Sequence, residues 1–213
     1  MRVKERVAAI IPAFNEEQNI VSVLRVLMAV PEIDDIIVVN DGSTDDTSRV
    51  AREIGVRVLD LAENSGKGSA LKAGAEQVTA DILLFLDADL LGLTVTHVQE
   101  LLRPVMNGDH EATVGIFEGG RTSTDWAQAL TPFLSGQRAM RKQLLIGADY
   151  LDGAGYGVEL QMHRQLKRMG KEPYAVILHD VTQVMKEEKM GLVKGLAARM
   201  KMYWEIIKEI PRV

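Results

Sequence analysis

Ile82-Leu83-Leu84-Phe85-Leu86-Asp87-Ala88-Asp89 decides the fold. Five apolar residues in a row, with no polar residue on either parity, describe a strand buried on both faces. Two carboxylates spaced by Ala88 mark where it stops. The same design recurs upstream. Val7-Ala8-Ala9-Ile10-Ile11 runs into Pro12-Ala13-Phe14-Asn15-Glu16-Glu17, and Ile36-Ile37-Val38-Val39 runs into Asn40-Asp41-Gly42-Ser43-Thr44-Asp45. Val56-Arg57-Val58-Leu59 reads as a shorter strand.

The segments between these strands have helical period. Glu16 to Met28 places Ile20, Val23, Leu24 and Leu27 on one face. Thr44 or Asp45 can cap a helix running through Val50 to Ile54, and Gly66-Lys67-Gly68 opens another from Ser69 to Val78. Strands alternating with helices at this rhythm predict parallel βαβ units in an α/β fold, a mainly parallel sheet flanked by helices. In such sheets ligands bind beyond the carboxyl ends of the strands. Asn15 and Glu16, Asp41, and Asp87 with Asp89 all fall there. Any one of these clusters is what a helix cap or turn would give. Three at one edge are harder to explain that way.

The second half is less regular. Ala112 to Phe117 reads as a strand, Glu118 to Ser123 as a loop, and Asp125 to Leu134 as a helix broken at Pro132. Ser135-Gly136-Gln137-Arg138-Ala139-Met140-Arg141 reads as a polar turn into another short helix. A helix then starts at Gly155-Tyr156-Gly157-Val158, passes through Glu159, Met162 and Leu166, and ends at Gly170. Tyr174 to Leu178 is a strand closed by His179-Asp180. No repeat or linker divides the chain, so residues 1–213 are expected to form one domain.

Composition narrows the function. The chain of 213 residues is 46% hydrophobic and carries a net charge of −5, the wrong sign for a sequence-independent nucleic-acid binder. It has no cysteine, which removes disulfides, thiolate zinc sites and cysteine nucleophiles. No apolar run approaches the roughly 20 residues that cross a bilayer, so the expected location is cytoplasmic. From Arg164 onward basic side chains outnumber acidic ones by eleven to six. That bias suits an anionic lipid or substrate, or simply a solvated helix face.

The strand-end groups suggest a chemistry. Asp87 and Asp89 can converge on one hard cation, Mg²⁺ or Mn²⁺, which takes oxygen ligands and keeps positions open for phosphate. A lone histidine is more often structural, but His179 follows a buried strand and can supply a nitrogen ligand. Asn64-Ser65-Gly66-Lys67-Gly68-Ser69 offers backbone donors at a helix start and a lysine charge, which suit a diphosphate. It is not a Walker A loop, since Leu61 stands where the first glycine would be. Together these parts describe a nucleoside-diphosphate pocket in which acidic groups, Asp41 included, gather about a shared dication. The matching reaction class is group transfer from a nucleotide-activated donor.

The ordered series Pro12-Ala13-Phe14-Asn15-Glu16-Glu17, Val39-Asn40-Asp41-Gly42-Ser43-Thr44-Asp45, Asn64-Ser65-Gly66-Lys67-Gly68 and Asp87-Ala88-Asp89 resembles that of the family 2 glycosyltransferases. The resemblance implies a GT-A fold, Rossmann-like in character, and a metal-dependent hexose transfer from a UDP- or GDP-sugar. It implies that Pro12, Ala13, Asn15, Glu16 and Asp41 line the nucleoside site and that Lys67 meets the diphosphate. Asp87 would lie nearer the ribose, and Asp89 would be the principal metal ligand.

Gly119-Gly120-Arg121, Leu134-Ser135-Gly136-Gln137-Arg138-Ala139, Gly155-Tyr156-Gly157-Val158-Glu159 and His179 are similar to the narrower glucosyl-3-phosphoglycerate synthase branch. That likeness implies His179 as a further metal ligand and an anionic acceptor at Arg121, Ser123, Gly136 and Gln137. It puts Glu159 near the sugar and acceptor hydroxyls. The chain departs from that branch in being shorter. It also has Asp180-Val181 after the histidine, where those enzymes carry a basic residue and an asparagine. On this reading residues 1–115 form the nucleotide-sugar and metal half, 116–190 the acceptor half, and 191–213 a C-terminal amphipathic helix.

Polyprenyl-phosphate glycosyltransferases are the alternative model, with a lipid-phosphate acceptor. Leu192, Leu196, Met200, Tyr203, Ile207 and Ile210 share a helical face, with Lys194, Lys201 and Lys208 elsewhere and Trp204 in the same stretch. Such a helix can rest on a bilayer as a peripheral contact, pack on its own domain, or join two copies in a homodimer. Stereochemistry stays open. Inversion requires a carboxylate base, for which Asp149, Asp152 and Glu159 are candidates, and retention requires none. Two other classes are weighed: a nucleotidyltransferase, which usually carries a basic Gly-rich signature at the first strand, and a binding module without catalysis.

Overall fold

The structure, a computed structural model, describes residues 4–118, 135–145, 151 and 157–184. Its centre is a seven-stranded sheet. The chain contributes β1 (Val7–Ala13), α1 (Ile20–Met28), β2 (Asp35–Asn40), α2 (Thr47–Glu53), β3 (Arg57–Asp60), α3 (Lys67–Gln77) and β4 (Ile82–Phe85) in turn. A short strand β5 (Leu90–Leu91) follows, then α4 (Val95–Asn107), β6 (Ala112–Glu118) and β7 (Arg138–Arg141). The series closes with α5 (Val158–Arg168), β8 (Tyr174–His179) and β9 (Thr182–Gln183). The strand order is β3-β2-β1-β4-β7-β6-β8, and β5 pairs with β9 in a separate two-stranded ribbon.

The buried strands split the core by parity. Val7, Ala9, Ile11 and Ala13 of β1 face one layer with Leu24 and Leu27 of α1 and Leu101 and Val105 of α4. Ala8 and Ile10 face the other with Leu71 of α3 and Met162 and Leu166 of α5. A strand that is apolar on every residue therefore feeds two cores at once. The result is an α/β sandwich of three layers. Gly74 lets α3 press onto the sheet, because a Cβ there would lie 2.5 Å from Ile10 Cγ2 and 2.9 Å from Val39 Cγ2.

Strands β1, β2, β3 and β4 are parallel, and β6 and β8 are parallel to one another. Within the seven-stranded sheet, among the described residues, only β7 runs antiparallel to its neighbours, β4 and β6. The carboxyl ends of six strands and the amino end of β7 thus share one edge, which the phosphate-binding logic of such sheets marks as the functional one.

Two expectations change. Ser135–Arg141 is not a polar turn throughout; Arg138–Arg141 is β7, a central strand, with Gln137, Arg138, Ala139 and Met140 buried, and the short helix expected after it is a 3-10 helix, Lys142–Leu145. Gln137, just before the strand, is held by Asp87 fifty residues away, and Arg138 Nε by the Ser135 carbonyl, contacts that periodicity cannot reveal. The helix expected from Glu16 begins at Ile20 instead, because Asn15 takes φ 56° and the next residues turn before the helix can start. Asp125 to Leu134 and residues 191–213 lie outside the described residues. Among the described residues, no helix is long and apolar enough to cross a membrane.

Candidate functional site

The first wall is built by two loops laced together. Beyond β1, the Asn15 N–H donates to Ser43 Oγ at 2.9 Å, and Asn15 Oδ1 accepts from the Thr44 N–H at 2.9 Å. The Glu16 N–H donates to the buried Thr47 hydroxyl at 2.8 Å. Asn15 suits its left-handed backbone because a short amide side chain can bond locally there. These contacts leave Pro12, Ala13, Asn15 and Glu16 on the rim next to the end of β2.

Asp41 is buried at that end, and its N–H is anchored on Ala13 O at 2.8 Å. Both of its carboxylate oxygens accept backbone N–H groups, from Ser65 at 2.8 Å and Gly66 at 3.0 Å. An ionised carboxylate holding two amides is a strong clamp, and this one fixes the turn that opens α3. Gly42 completes the fit: its φ is +70°, and a Cβ would fall 2.7 Å from the Asn64 backbone nitrogen.

The clamp delivers Lys67, the first residue of α3, to the centre of the edge. Its Nζ lies 2.5 Å from Asp87 Oδ1 and 2.6 Å from Glu159 Oε1. Asp87 leaves the end of β4, and Glu159 belongs to the first turn of α5. Burial works against the Lys67 ammonium, but the two carboxylates outweigh it and hold its pKa above the ordinary lysine value. Burial likewise opposes the Asp87 carboxylate, and Lys67 with two amide donors reverses that, so Asp87 stays ionised below the usual carboxylate range.

Those amides come from far along the chain. Gln137 Nε2 donates to Asp87 Oδ2 at 3.2 Å, while Gln137 Oε1 accepts the Asp87 N–H at 3.2 Å. Gln183 of β9 donates to the same Oδ2. Gly136 lies so close that a Cβ would sit 2.5 Å from Lys67 Nζ and 2.9 Å from either Asp87 oxygen. Arg138 Nε donates to Ser135 O at 2.9 Å and fastens the turn that carries Gly136.

Asp89 follows the end of β4 and His179 closes β8. Asp89 is half-buried just before β5, and its carbonyl accepts the Val184 N–H at 3.2 Å. His179 ends β8, is exposed, and has Nδ1 3.1 Å from Glu118 Oε2. The chain after it returns as β9 onto β5, pairing Gln183 with Leu90 and Thr182 with Leu91. The expectation that Asp41 joins these two about one dication fails. Strands β2 and β8 stand five positions apart in the sheet, about 24 Å at ordinary strand spacing, and Asp41 spends both oxygens on Ser65 and Gly66. Among the described residues, no three acidic, histidine or cysteine side chains are grouped to hold a metal ion.

Lys67, Asp87, Gly136, Gln137 and Glu159 therefore converge as one cluster. Arg121, Ser123, Asp149 and Asp152 lie outside the described residues. Gln183 was missed by reading the sequence, and nothing near it in the chain points to Asp87.

Comparisons with known proteins bear on the family and the fold. The family model for glycosyl transferase family 2 matches residues 8–157. Glucosyl-3-phosphoglycerate synthase of Mycobacterium tuberculosis is 29% identical over 191 residues, covering 72% of this chain and 58% of that enzyme. The chain thus spans less than two thirds of that relative's length. The 4,4'-diaponeurosporenoate glycosyltransferase of Staphylococcus aureus is 38% identical over 98 residues, covering 44% of this chain and 26% of that protein. Among solved structures, the M. tuberculosis synthase with Mn²⁺ and UDP-glucose superposes with a TM-score of 0.78 at 26% identity, covering 98% of this chain and 80% of that one. The same synthase with Mn²⁺, UDP-glucose and phosphoglyceric acid gives 0.75 at 27% identity, covering 98% and 81%.

Proposed function

Because the chain belongs to glycosyl transferase family 2, we propose that it moves a hexose from a nucleotide-diphosphate sugar to a small phosphorylated acceptor. The observation that carries this reading is the Lys67 ammonium, held 2.5 Å from Asp87 and 2.6 Å from Glu159 at the strand edge. A lysine charge on a helix start beside Gly-rich backbone donors is the equipment for a diphosphate leaving group. UDP-glucose is the proposed donor, since the M. tuberculosis synthase structures contain it.

Each residue has a place in this scheme. Pro12, Ala13, Asn15 and Glu16 line the nucleoside rim, with Asp41 shaping the turn beside it. Lys67 exchanges a carboxylate partner for diphosphate oxygens as charge develops on them. Glu159, released from Lys67 to that extent, accepts hydrogen bonds from donor or acceptor hydroxyls. Gly136 and Gln137 form the wall towards the acceptor, with Arg121 and Ser123 proposed to meet its anionic group.

A divalent cation fits the donor set. Asp89 offers a carboxylate and His179 an imidazole, and Mg²⁺ or Mn²⁺ in such sites takes few protein ligands and completes its shell with phosphate and water. When bound, it supplies Lewis-acid neutralisation of the leaving diphosphate. Asp87 is a poorer ligand than its spacing suggests, because both of its oxygens are already hydrogen-bonded.

The acceptor is argued by class. The M. tuberculosis synthase has been solved with phosphoglyceric acid and with glycerol 3-phosphate. Here Asp180 follows His179 and adds a negative charge near that position, which favours an acceptor with fewer charges than phosphoglycerate. The polyprenyl-phosphate reading, the peripheral membrane contact and the homodimer rest on residues 191–213, and no described residue favours them.

A thermal-shift screen of UDP- and GDP-hexoses with and without Mn²⁺ tests the proposal. UDP-glucose with Mn²⁺ at about a hundred times Kd should stabilise the fold by about 2.7 kcal/mol, and glucose should then pass to glycerol phosphates in preference to phosphoglycerates. No shift with any nucleotide sugar overturns the reading.

A further inference from the structure

We infer that Gln183 is a positioning residue for the diphosphate: its amide pins Asp87, and Asp87 in turn holds the Lys67 ammonium in place. The inference rests on the donor reading above and names a residue that reading does not use. Three observations carry it. Gln183 Nε2 donates to Asp87 Oδ2, the oxygen that Gln137 Nε2 also reaches at 3.2 Å. The opposite oxygen, Oδ1, lies 2.5 Å from Lys67 Nζ. Gln183 is itself held by the β5–β9 ribbon, where it pairs with Leu90, and its neighbour Val184 donates to Asp89 O at 3.2 Å.

The chemistry of an amide explains why glutamine stands there. An amide NH₂ donates to a carboxylate without neutralising it. Two such donors on Oδ2 fix the carboxylate plane and leave its full charge for Lys67 on the other side. A lysine at that position would compete with Lys67 for Asp87, and a glutamate would repel it. The arrangement also ties together two parts of the site that the sheet keeps apart. The segment from His179 to Gln183 touches Asp87 at one end and bears the proposed metal histidine at the other. The pairing of that segment with β5 holds Gln183 against Asp87 and, through it, Lys67.

Nucleotide binding in Mn²⁺ buffer tests this, with the full chain and three variants: Gln183→Leu, Lys67→Met and the double variant. UDP and UMP are the probes, because they share the nucleoside and differ in the phosphate that Lys67 meets. In the wild type, UDP should bind more tightly than UMP. Gln183→Leu should weaken UDP by about tenfold, the scale of one hydrogen bond to a charged group, and leave UMP within twofold. In the Lys67→Met background, Gln183→Leu should cost nothing further. A Gln183→Leu variant that binds UDP as the wild type does overturns the inference. So does one that weakens UDP and UMP alike, or one that adds its full effect to Lys67→Met. Gln183→Glu, equal in size but unable to donate when ionised, should behave like the leucine variant; full activity in it also counts against the inference. Failure of the wild type to bind either nucleotide would instead overturn the donor reading itself, so the two outcomes are separable.

Discussion

The β1–β4 side of the functional edge and the β6–β9 side are built by different means. On the first side, loops are joined by backbone N–H groups bonding to side chains 24 to 31 residues away, as Asn15 does to Ser43 and Ser65 to Asp41. On the second, side chains meet side chains across 50 to 96 residues, as Gln137, Glu159 and Gln183 meet Asp87 and Lys67. Backbone lacing makes a rim in which side-chain acceptors, the Asp41 carboxylate among them, hold backbone N–H groups rather than other charges. The side-chain cluster is tuned by charge and can exchange partners when a ligand arrives. A nucleoside needs the first kind of surface, and a leaving diphosphate needs the second.

The comparison breaks most completely at the metal and diphosphate groups. Asp89→Ala or Lys67→Met should lower transfer by about 10²-fold or more, the usual cost of removing one charge-stabilising group; thermal stability should change little in the first and fall in the second, which leaves Asp87 and Glu159 buried without their cation. Steady-state kinetics at saturating Mn²⁺ measures this, and wild-type turnover in Asp89→Ala would remove that residue from the metal site.

Gly136→Ala probes the charge cluster without altering a charge. Its Cβ has nowhere to go between Lys67 and Asp87, so the ion pair must open. Activity should fall about tenfold, with a stability loss of about 1–3 kcal/mol, read by denaturant unfolding. On the laced side, Gly42→Ala meets backbone at 2.7 Å and needs a φ of +70°. It should cost about 1–3 kcal/mol and raise the donor KM more than it lowers kcat.

Asp34 gives the smallest expected effect and a pH signature. It accepts the Val7 N–H at 2.9 Å and pairs with Lys4 at 3.0 Å, at the end of the sheet away from the site. The Val7 N–H first, then Lys4, hold its pKa below 3.8. A depressed carboxylate stabilises the fold above its unfolded pKa and loses that contribution as pH falls through the folded value. Asp34→Asn should therefore lower stability slightly at pH 7, by under about 1 kcal/mol for an exposed pair. The variant and wild type should converge as pH falls through the folded value, below the usual carboxylate range. A constant difference across that window would show that the carboxylate charge does not matter.

Reading the sequence succeeded where the cause was local. β1, β2 and β4 announce themselves by unbroken apolar runs, and α5 by Val158, Met162 and Leu166 at helical spacing. The helix α4 was passed over, although Thr94 and His97 form a capping box and Val98, Leu101, Leu102 and Val105 share its buried face. That signal was present. The strand β7 had no comparable signal, because Gln137 and Arg138 are polar residues whose burial depends on Asp87 and on the Ser135 carbonyl.

The sequence by itself determined the α/β class, the functional edge and most of the residues that stand on it, because apolar period and turn chemistry act over a few neighbouring residues. Only the tertiary structure decided which of those residues share a hydrogen bond. It turned Asp41 onto the loop before α3, gave Asp87 to Lys67, and brought Gln183 across the chain to Asp87. Charge pairing depends on distance in space, and the distance between residues far apart in the chain is set by the packed sheet.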